Sequence, residues 1–280
     1  MKPILVFQTD FTYKEGAVCA MYGVVKSVDR ELEIIDGTHE IPQYDIWSAS
    51  YRLYQSMEFW PEGTMFVSVV DPGVGTSRRA SVAKTINGYY IVTPDNGSLT
   101  HVKSRIGIAE IREIDESINR LRGKGTEGVS VFHGRDIFAY CAARLASGII
   151  TYDQVGSAYP TSEIVEFQTH EPTIFDGGIS GIFEINDPNF GNIWTNIPLD
   201  LFTKAGFAYG DKPKVTILNK GCTIFEDRVL FEKSFGFAKK GDVIIYNNEL
   251  SRISMAICQG NLCERYRLSY GAEWVVRFET

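Results

Sequence analysis

An aspartate and an arginine on either side of one tight loop are the residues whose types and spacing first suggest chemistry. The apolar run over residues 64–70 predicts a buried strand that ends at Asp71. Proline and glycine then force a turn, and the chain returns Arg78 seven positions after Asp71. In α/β sheets, ligands bind at the carboxyl ends of strands, so this pair predicts a site. A surface ion pair at an ordinary strand corner is the alternative.

Polar residues also cluster at three other ends of predicted elements. They lie in Thr9-Asp10-Phe11 after the first strand, in Pro94-Asp95-Asn96-Gly97 after another strand, and in Phe132-His133-Gly134-Arg135-Asp136 before a helix. If the strands are parallel neighbours, these segments meet at one edge of the sheet. Each segment has a structural alternative: helix or turn capping by its aspartate, or a histidine with a purely structural role.

A second polar cluster occupies residues 186–196. It contains Asp187, an amide at Asn192 and an aromatic ring at Trp194. This combination suits a flat heteroaromatic ligand with hydrogen-bond donors on its edge. The alternative is a Pro/Asn/Gly turn followed by an ordinary strand.

The elements that would position these residues alternate over the first 165 or so positions. Predicted strands cover residues 4–8, 33–36, 65–70, 80–85, 89–92 and 108–114, and predicted helices cover 16–28, 44–59, 96–104 and 135–146. Such alternation predicts an α/β N-terminal domain with a largely parallel sheet, over residues 1–166.

The pattern of apolar and polar residues changes after about residue 166, where helical periodicity nearly disappears. Short strand-like runs follow at 179–185, 192–196, 214–218, 223–231, 242–246, 252–257 and 274–278. They predict a smaller, all-β, barrel-like C-terminal domain over residues 175–280. The segment His170-Glu171-Pro172 reads as the linker.

Composition narrows the classes of partner and compartment. The net charge is −7 and no basic run occurs, so nucleic acid is not an expected partner. No apolar stretch reaches membrane-spanning length, and the first residues lack a signal-peptide layout. The five cysteines are odd in number and form no CxxC pair, which favours reduced thiols over a structural zinc site. We therefore predict a cytoplasmic protein with no membrane contact.

Taken in order along the chain, these segments resemble the S-adenosylmethionine (SAM) hydroxide adenosyltransferases, relatives of the adenosyl halide synthases. The matching pieces are Thr9-Asp10-Phe11, Asp36-Gly37-Thr38-His39, Pro61-Glu62-Gly63-Thr64, Val70-Asp71-Pro72-Gly73-Val74-Gly75-Thr76 with Arg78-Arg79, Pro94-Asp95-Asn96-Gly97, Phe132-His133-Gly134-Arg135-Asp136 and Phe190-Gly191-Asn192. The resemblance runs from the first strand to about residue 246. The Asp71 loop and the segment around His133 carry most of its specificity.

The resemblance implies hydrolysis of SAM to adenosine and L-methionine, without a metal or organic cofactor. It implies a homotrimer, with each ligand between the N-terminal domain of one subunit and the C-terminal domain of the next. The implied catalytic residues are Asp71, Arg78 and His133. The implied substrate-binding residues are Asp10 for the ribose, and Tyr44, Asp187, Asn192 and Trp194 for the adenine and methionine sides.

The sequence also departs from the family pattern. Halide synthases carry a Tyr-containing loop in place of the Asp71 loop and a Ser-containing segment in place of the His133 segment, so this chain has the hydrolase versions. The spacing from Asp187 to Trp194 is that of the halide synthases. Three further departures, at Glu15, Glu249 and Cys258, replace a usual Asp, Ser and Asn. The last two are expected near the methionine end.

The implied chemistry suits the residue types. A sulfonium already activates C5′, so the enzyme must deliver a hydroxide equivalent in line with the breaking C–S bond. Asp71 can accept a hydrogen bond from water, Arg78 can favour hydroxide character, and His133 can orient the water. Which group takes the proton is open at this level. Halide transfer to C5′ and a non-catalytic nucleoside-binding role are the alternatives.

Overall fold

The computed structural model describes residues 2–123 and 125–280, which divide into two compact units, Met1–Phe167 and Gln168–Thr280. The first unit is α/β and the second is built on a β-sheet, which confirms the predicted fold class at that level. Among the described residues, no helix has the length and apolar character required to cross a bilayer.

The described residues of the first unit form seven strands, five α-helices and short helical turns. In chain order they are β1 (Leu5–Thr9), α1 (Ala17–Val28), β2 (Ile34–Thr38), α2 (Ile46–Met57), β3 (Met65–Val69), β4 (Ala80–Thr85), β5 (Tyr90–Pro94), α3 (Thr100–Arg105), β6 (Ile108–Glu113), α4 (Glu116–Asn119), a π-helical turn (Gly134–Ala139), α5 (Tyr140–Ala146), a 3₁₀ turn (Tyr152–Val155), β7 (Ala158–Tyr159) and a second 3₁₀ turn (Thr161–Glu163).

The sheet of this unit has the strand order β2-β1-β3-β5-β4-β6-β7. The pairs β1–β2, β1–β3 and β3–β5 are parallel, whereas β4 and β7 run against their neighbours. Five of the seven strands therefore share one direction, as the largely parallel prediction requires.

Helices cover both faces of this sheet. In β1, Leu5 and Phe7 belong to one buried cluster with α1 and α5, and Val6 belongs to another with α2 and α3. Because successive side chains of a strand point to opposite faces, every residue of β1 is buried. This explains why apolar residues dominate β1 and β3 without alternating strictly with polar ones.

The second unit contains nine strands in one sheet and two short helices. Its elements are β8 (Thr173–Phe175), β9 (Gly178–Asp187), β10 (Asn192–Pro198), α6 (Leu199–Lys204), β11 (Lys214–Asn219), β12 (Cys222–Arg228), β13 (Leu230–Phe231), a 3₁₀ turn (Phe235–Phe237), β14 (Val243–Asn247), β15 (Arg252–Ile257), α7 (Leu262–Tyr266) and β16 (Trp274–Glu279).

The long strand β9 joins two halves of this sheet. Its first half, from Gly178 to Ile182, pairs with β16, and its second half, from Phe183 to Asp187, pairs with β10. Side chains from both halves meet in one core, for example Phe278 of β16 and Met255 of β15. A strand that serves two packed sheet halves in this way forms a corner.

Candidate active site

The carboxyl ends of β1, β2 and β3 lie at the same edge of the sheet because these strands are parallel neighbours. Asp10 follows β1, His39 follows β2 and Asp71 follows β3. The strand pattern of the sequence thus places three of its polar motifs together.

The loop after β3 folds back through two consecutive turns. The amide of Val74 donates to the carbonyl of Asp71 at 3.2 Å, and the amide of Thr76 donates to the carbonyl of Gly73 at 3.1 Å. Gly75 has φ +78°, and a Cβ there would lie 2.9 Å from the carbonyl oxygen of Ser130. Glycine is therefore required at this position, and the turns return Arg78 to Asp71.

Arg78 is bonded to both Asp71 and His133. Its Nε lies 3.0 Å from each carboxylate oxygen of Asp71, and its Nη2 lies 2.5 Å from Oδ2. The same Nη2 lies 2.8 Å from Nδ1 of His133. A guanidinium only donates, so Nδ1 of His133 accepts and the neutral ring carries its proton on Nε2. The three predicted catalytic residues thus form one bonded set.

His133 stands immediately before the π-helical turn that leads into α5. A Cβ at Gly134 would lie 3.3 Å from the rings of Phe11 and Phe132, so the start of this turn packs closely on the loop after β1. Burial, and next the positive charge of Arg78, lower the pKa of His133 below its ordinary value of 6.5. The surroundings therefore favour the neutral ring that the Arg78 bond requires.

The π-helical turn also refines the predicted helix over 135–146. Short π-helical segments are rare and occur often at functional sites. Asp136, within this turn, is fully buried and its carboxylate pairs with Arg135 at 2.6 Å. This contact is structural, but it is an ion pair with Arg135 and not the helix cap that the alternative predicted.

Asp10 is held by the backbone of Tyr44. The amide of Tyr44 donates to Oδ2 of Asp10 at 2.9 Å, and Tyr44 adopts φ +66°. This left-handed conformation is uncommon for a tyrosine and aims its N–H at the carboxylate. Burial raises the pKa of Asp10, and the charge of Asp71 adds to the rise, while the Tyr44 bond opposes both.

Asp10 and Asp71 line the same cleft, which has a volume of about 260 Å³. Its lining consists of Asp10, Phe11, Glu15, Gln43, Tyr44 and Asp71. The sequence had marked Glu15 only as a departure from the family and had not marked Gln43. Asp45 could have indicated that Gln43 lies outside the helix. Its carboxylate accepts from the amide of Ser48 at 2.8 Å and caps α2, which therefore begins later than predicted. The residues before Asp45 are thereby left in the cleft wall.

The segment after β5 serves the packing of the unit. Asp95 accepts from the hydroxyl of Tyr159 and from the amide of Val165, both at 2.9 Å. Asn96 donates to the carbonyl of Val70 at 3.0 Å and so supports the strand end that carries Asp71. The Pro94–Gly97 segment is therefore a structural turn, as its alternative predicted, and it acts on the site only by supporting the strand end before Asp71.

In the second unit, one carboxylate oxygen of Asp187 and the indole nitrogen of Trp194 are engaged within the chain. The Oδ1 of Asp187 accepts from the amides of Asn189 at 3.2 Å and Phe190 at 3.3 Å, which closes the turn between β9 and β10. The indole nitrogen of Trp194 donates to the hydroxyl of Tyr246 at 3.2 Å, and the ring is buried.

Asn192 instead lines a cavity of about 850 Å³ in this unit. The lining contains Asn189, Phe190, Asn192, Phe235, Gly236, Ile257, Cys258, Gln259, Gly260 and Asn261. Phe190 is 69% exposed, so its ring is available for stacking. Cys258, expected near the methionine end, lies in the same cavity as Asn192. The sequence had not marked Phe235 or Gln259.

Among residues 2–123 and 125–280, no group of three His, Cys, Asp or Glu side chains is arranged to hold a metal ion.

The chain matches two family models and is similar in sequence to proteins of known name. The model of the SAM hydroxide adenosyltransferase N-terminal domain matches residues 5–156, and that of the C-terminal domain matches residues 183–275. The chain is 32% identical over 250 residues to the (R)-S-adenosyl-L-methionine hydrolase of Methanocaldococcus jannaschii, covering 88% of this chain and 85% of that one. It is 27% identical to the fluorinase of Actinopolyspora mzabensis, covering 96% and 95%.

A solved structure gives the same fold. The crystal structure of an uncharacterized conserved protein from Thermotoga maritima superposes with a TM-score of 0.88 at 32% identity, over 99% of this chain and 100% of that one. The whole length of the chain therefore takes part in the similarity.

Proposed function

The chain belongs to the SAM hydroxide adenosyltransferase family, and on that premise we propose that it hydrolyses S-adenosyl-L-methionine to adenosine and L-methionine. The observation that carries the proposal is the bonded set of Asp71, Arg78 and His133 beside an acidic cleft. The hydrolase relatives are named for the (R) sulfonium epimer, and we propose the same preference here.

The reaction balances without an added co-reactant. The oxygen of one water bonds to C5′ while the C5′–S bond breaks, and methionine leaves with that electron pair as a neutral thioether. One proton is released from the water. Asp71 accepts a hydrogen bond from the water, and Arg78, which is bonded to both carboxylate oxygens of Asp71, stabilises developing hydroxide character. His133, protonated on Nε2, is a donor that orients the water.

The charges of the cleft favour a cationic substrate. Asp10, Glu15 and Asp71 contribute carboxylates to its wall, and Arg78 neutralises one of them through its pairing with Asp71. A sulfonium gains from the remaining negative potential, whereas a halide ion is repelled. The same argument disfavours halide transfer as the reaction of this chain.

The substrate contacts follow from the side chains that line the two cavities. We propose that Asp10 accepts hydrogen bonds from the ribose hydroxyls and that Asn192 and Phe190 contact the adenine. Tyr44 contributes its exposed ring and, through its amide, the orientation of Asp10. Trp194 shapes the strand that carries Asn192, since its indole nitrogen already bonds within the chain, and Asp187 closes the turn before that strand through Oδ1 and faces the substrate through its other carboxylate oxygen.

Asp71 and Asn192 belong to different units of the chain. We therefore propose a homotrimer in which the second unit of one subunit completes the site of the next, with the nine-stranded sheet closed into a barrel-like form. The corner at β9 and the single core of its two sheet halves support that closure.

The reaction and the thiols support two further proposals. No metal or organic cofactor is required, because the sulfonium is itself the activated leaving group. All five cysteines are unpaired, which fits a reducing compartment, and we propose the cytosol.

The testing experiment incubates the purified protein with each sulfonium epimer, with and without EDTA and with and without chloride. Adenosine and 5′-chloro-5′-deoxyadenosine are separated by chromatography. We expect adenosine from the (R) epimer under all conditions, formed about 100-fold or more slowly by an Asp71→Asn variant. Asp153→Asn is the matched control, because Asp153 is exposed and pairs with Arg112 away from the cleft. A chloride-dependent chlorinated product, or nucleoside binding without turnover, would replace the hydrolase proposal.

A further inference from the structure

A hydrogen-bond network that is buried at Thr9 and His39 and exposed at Asp36 and Tyr13 adjoins Asp10. The side chain of His39 is fully buried, and its Nδ1 lies 2.8 Å from the hydroxyl of Thr9. On the other side of the ring, Nε2 lies 2.8 Å from the hydroxyl of Tyr22 and 3.3 Å from Oδ1 of Asp36. The hydroxyls of Tyr22 and Tyr13 both donate to the carboxylate of Asp36.

The donors and acceptors of this network form one directed chain. Asp36 is the acceptor at its end, so Nε2 of His39 carries the ring proton toward Tyr22 and Asp36. Nδ1 is then an acceptor, and the hydroxyl of Thr9 donates to it. Burial lowers the pKa of His39, which favours this neutral ring. The lone pair of Thr9 in turn accepts from the amide of Phe11 at 3.1 Å.

The order Asp36, His39, Thr9 imitates a nucleophile triad, but burial argues against that role. Thr9 is fully buried, and its hydroxyl is engaged with both His39 and Phe11. No substrate atom can reach the hydroxyl without opening the sheet edge. The network therefore acts on its surroundings through geometry.

The surroundings are the loop that presents Asp10. Thr9 and Phe11 flank Asp10, and the amide of Thr12 donates to the carbonyl of His39 at 2.8 Å. The amide of Ile41 also donates to the carbonyl of Thr9 at 3.3 Å. Thr12 itself adopts φ +57°, an uncommon conformation that these contacts hold in place. The chain on both sides of Asp10 is thus tied to the segment around His39.

We propose that His39, oriented by Asp36 and Tyr22, is a positioning residue that fixes Asp10 through the hydroxyl of Thr9. The orientation of Asp10 by His39 follows from the hydrogen bonds alone, whereas its consequence for substrate binding rests on the proposed function. Because Asp10 meets the ribose equally in the ground and transition states, a displaced Asp10 raises KM and leaves kcat nearly unchanged.

Two matched pairs of variants isolate the hydrogen bond between His39 and Thr9. Thr9→Val removes the hydroxyl at nearly constant shape, and Thr9→Ser keeps it. His39→Asn keeps an acceptor at the place of Nδ1, whereas His39→Gln keeps only a polar group at the place of Nε2. Thermal unfolding of all four variants records any loss of fold.

The first measurement is amide hydrogen exchange of Phe11 and Thr12 in the ligand-free protein, with the β3 amides as internal reference. We expect exchange about fivefold faster in Thr9→Val and His39→Gln, because one net hydrogen bond is lost, and near-parental exchange in Thr9→Ser and His39→Asn. The second measurement is steady-state hydrolysis, with KM raised about fivefold in the first two variants and kcat within about twofold of the parent.

Folded Thr9→Val and His39→Gln variants with parental exchange and parental KM would overturn the inference. Equal impairment of all four variants would also overturn it, since that result assigns the effect to packing. If the parent protein does not hydrolyse SAM, the proposed function fails, and the exchange pattern still decides whether His39 positions the Asp10 loop.

Discussion

At the scale of single residues, the ring proton of His133 determines which member of the bonded set is a donor and which is an acceptor toward a water. Arg78 donates to Nδ1 of His133, so the histidine presents Nε2–H and not a lone pair on Nδ1. Asp71 remains the acceptor in the set, with Arg78 on one side of its carboxylate. The three residues therefore act as a unit whose parts fix one another.

Removal of any one of Asp71, Arg78 and His133 should lower kcat by about 100-fold or more and change nucleoside affinity little. Each removal breaks the hydrogen bonds that orient the other two side chains. The kcat of a double variant should therefore be hardly lower than that of a single variant. Arg78→Lys should not rescue, because an ammonium lacks the planar fork that bonds Asp71 and His133 together. Single-turnover release of adenosine measures these losses.

The matched control is Arg79→Lys, the neighbouring arginine, which pairs with Glu163 at 2.7 Å. Thermal melts beside the kinetics separate catalysis from stability. A folded Asp71→Ala enzyme that hydrolyses SAM at the parental rate would remove these roles from the mechanism.

The lowered pKa of His133 predicts the acid limb of the rate profile. Protonation would place a second donor on Nδ1 against Arg78, so the active form is neutral. Because burial and Arg78 depress the folded-state pKa below 6.5, kcat should stay level as pH falls to 6.5 and decline only below it. The same depression contributes stability above the unfolded pKa, and that contribution is lost as pH falls from about 6.5 toward the folded pKa.

This prediction is measured as kcat between pH 4 and pH 8, with unfolding followed over the same range. His133→Asn, which does not titrate, is the reference for the residual activity. A decline in kcat centred above pH 6.5 would contradict the assignment of a neutral ring.

At the scale of elements, the turn between β9 and β10 positions Asn192. Gly191 has φ +68°, and a Cβ there would lie 1.9 Å from Oδ1 of Asn261. That oxygen caps α7 by accepting from the amide of Glu264 at 2.8 Å. The turn and the start of α7 are therefore packed against each other through a single glycine.

Gly191→Ala should thus displace the Asn261 cap and cost about 2–4 kcal/mol of unfolding free energy, with a raised KM. Gly210→Ala is the matched control, because Gly210 has φ +98° but open space around its Cβ. The control should lose only the strain of the left-handed backbone, about 1–2 kcal/mol, with parental KM. Equal losses in the two variants would show that the contact with Asn261 contributes nothing.

Most elements and the approach of Asp10 and Asp71 were predictable because they depend on strand pattern, whereas the bond between Arg78 and His133 spans 55 residues and was not. The buried runs of β1 and β3 end at Asp10 and Asp71, and parallel strands bring such ends together. The remaining features depend on tertiary contacts. The Tyr44 amide bonds Asp10 across 34 residues, and the Trp194 indole bonds Tyr246 across 52 residues. No spacing rule shows that a backbone amide or a buried indole has such a partner.

At the scale of the whole molecule, the proposed site is divided between two compact units. The first carries the acidic cleft with Asp10 and Asp71, and the second carries the cavity with Asn192 and Phe190. Each cavity by itself offers only part of what SAM needs, since carboxylates suit the ribose and sulfonium and the aromatic cavity suits a base. The proposed closed ring of identical chains would supply both parts at every site.

Mixing Asp71→Ala with Asn192→Ala, two variants that each impair one half of the proposed site, tests this arrangement. In a ring where each site joins the first unit of one subunit to the second unit of the next, every mixed trimer contains one intact site. Equal mixing should restore about one quarter of parental activity, because half the first units and half the second units are intact and pair independently. Sites contained within one chain should regain none.

The control mixture combines Asp71→Ala with the Asp71→Ala/Asn192→Ala double variant, which has no intact Asp71 and should remain inactive under either arrangement. Molecular mass by light scattering, measured on the same samples, establishes whether three chains assemble. A trimer that regains no activity on mixing would place the complete site within one chain. A monomer that hydrolyses SAM would contradict the sharing of sites between subunits, and the roles of Asp71, Arg78 and His133 would still stand.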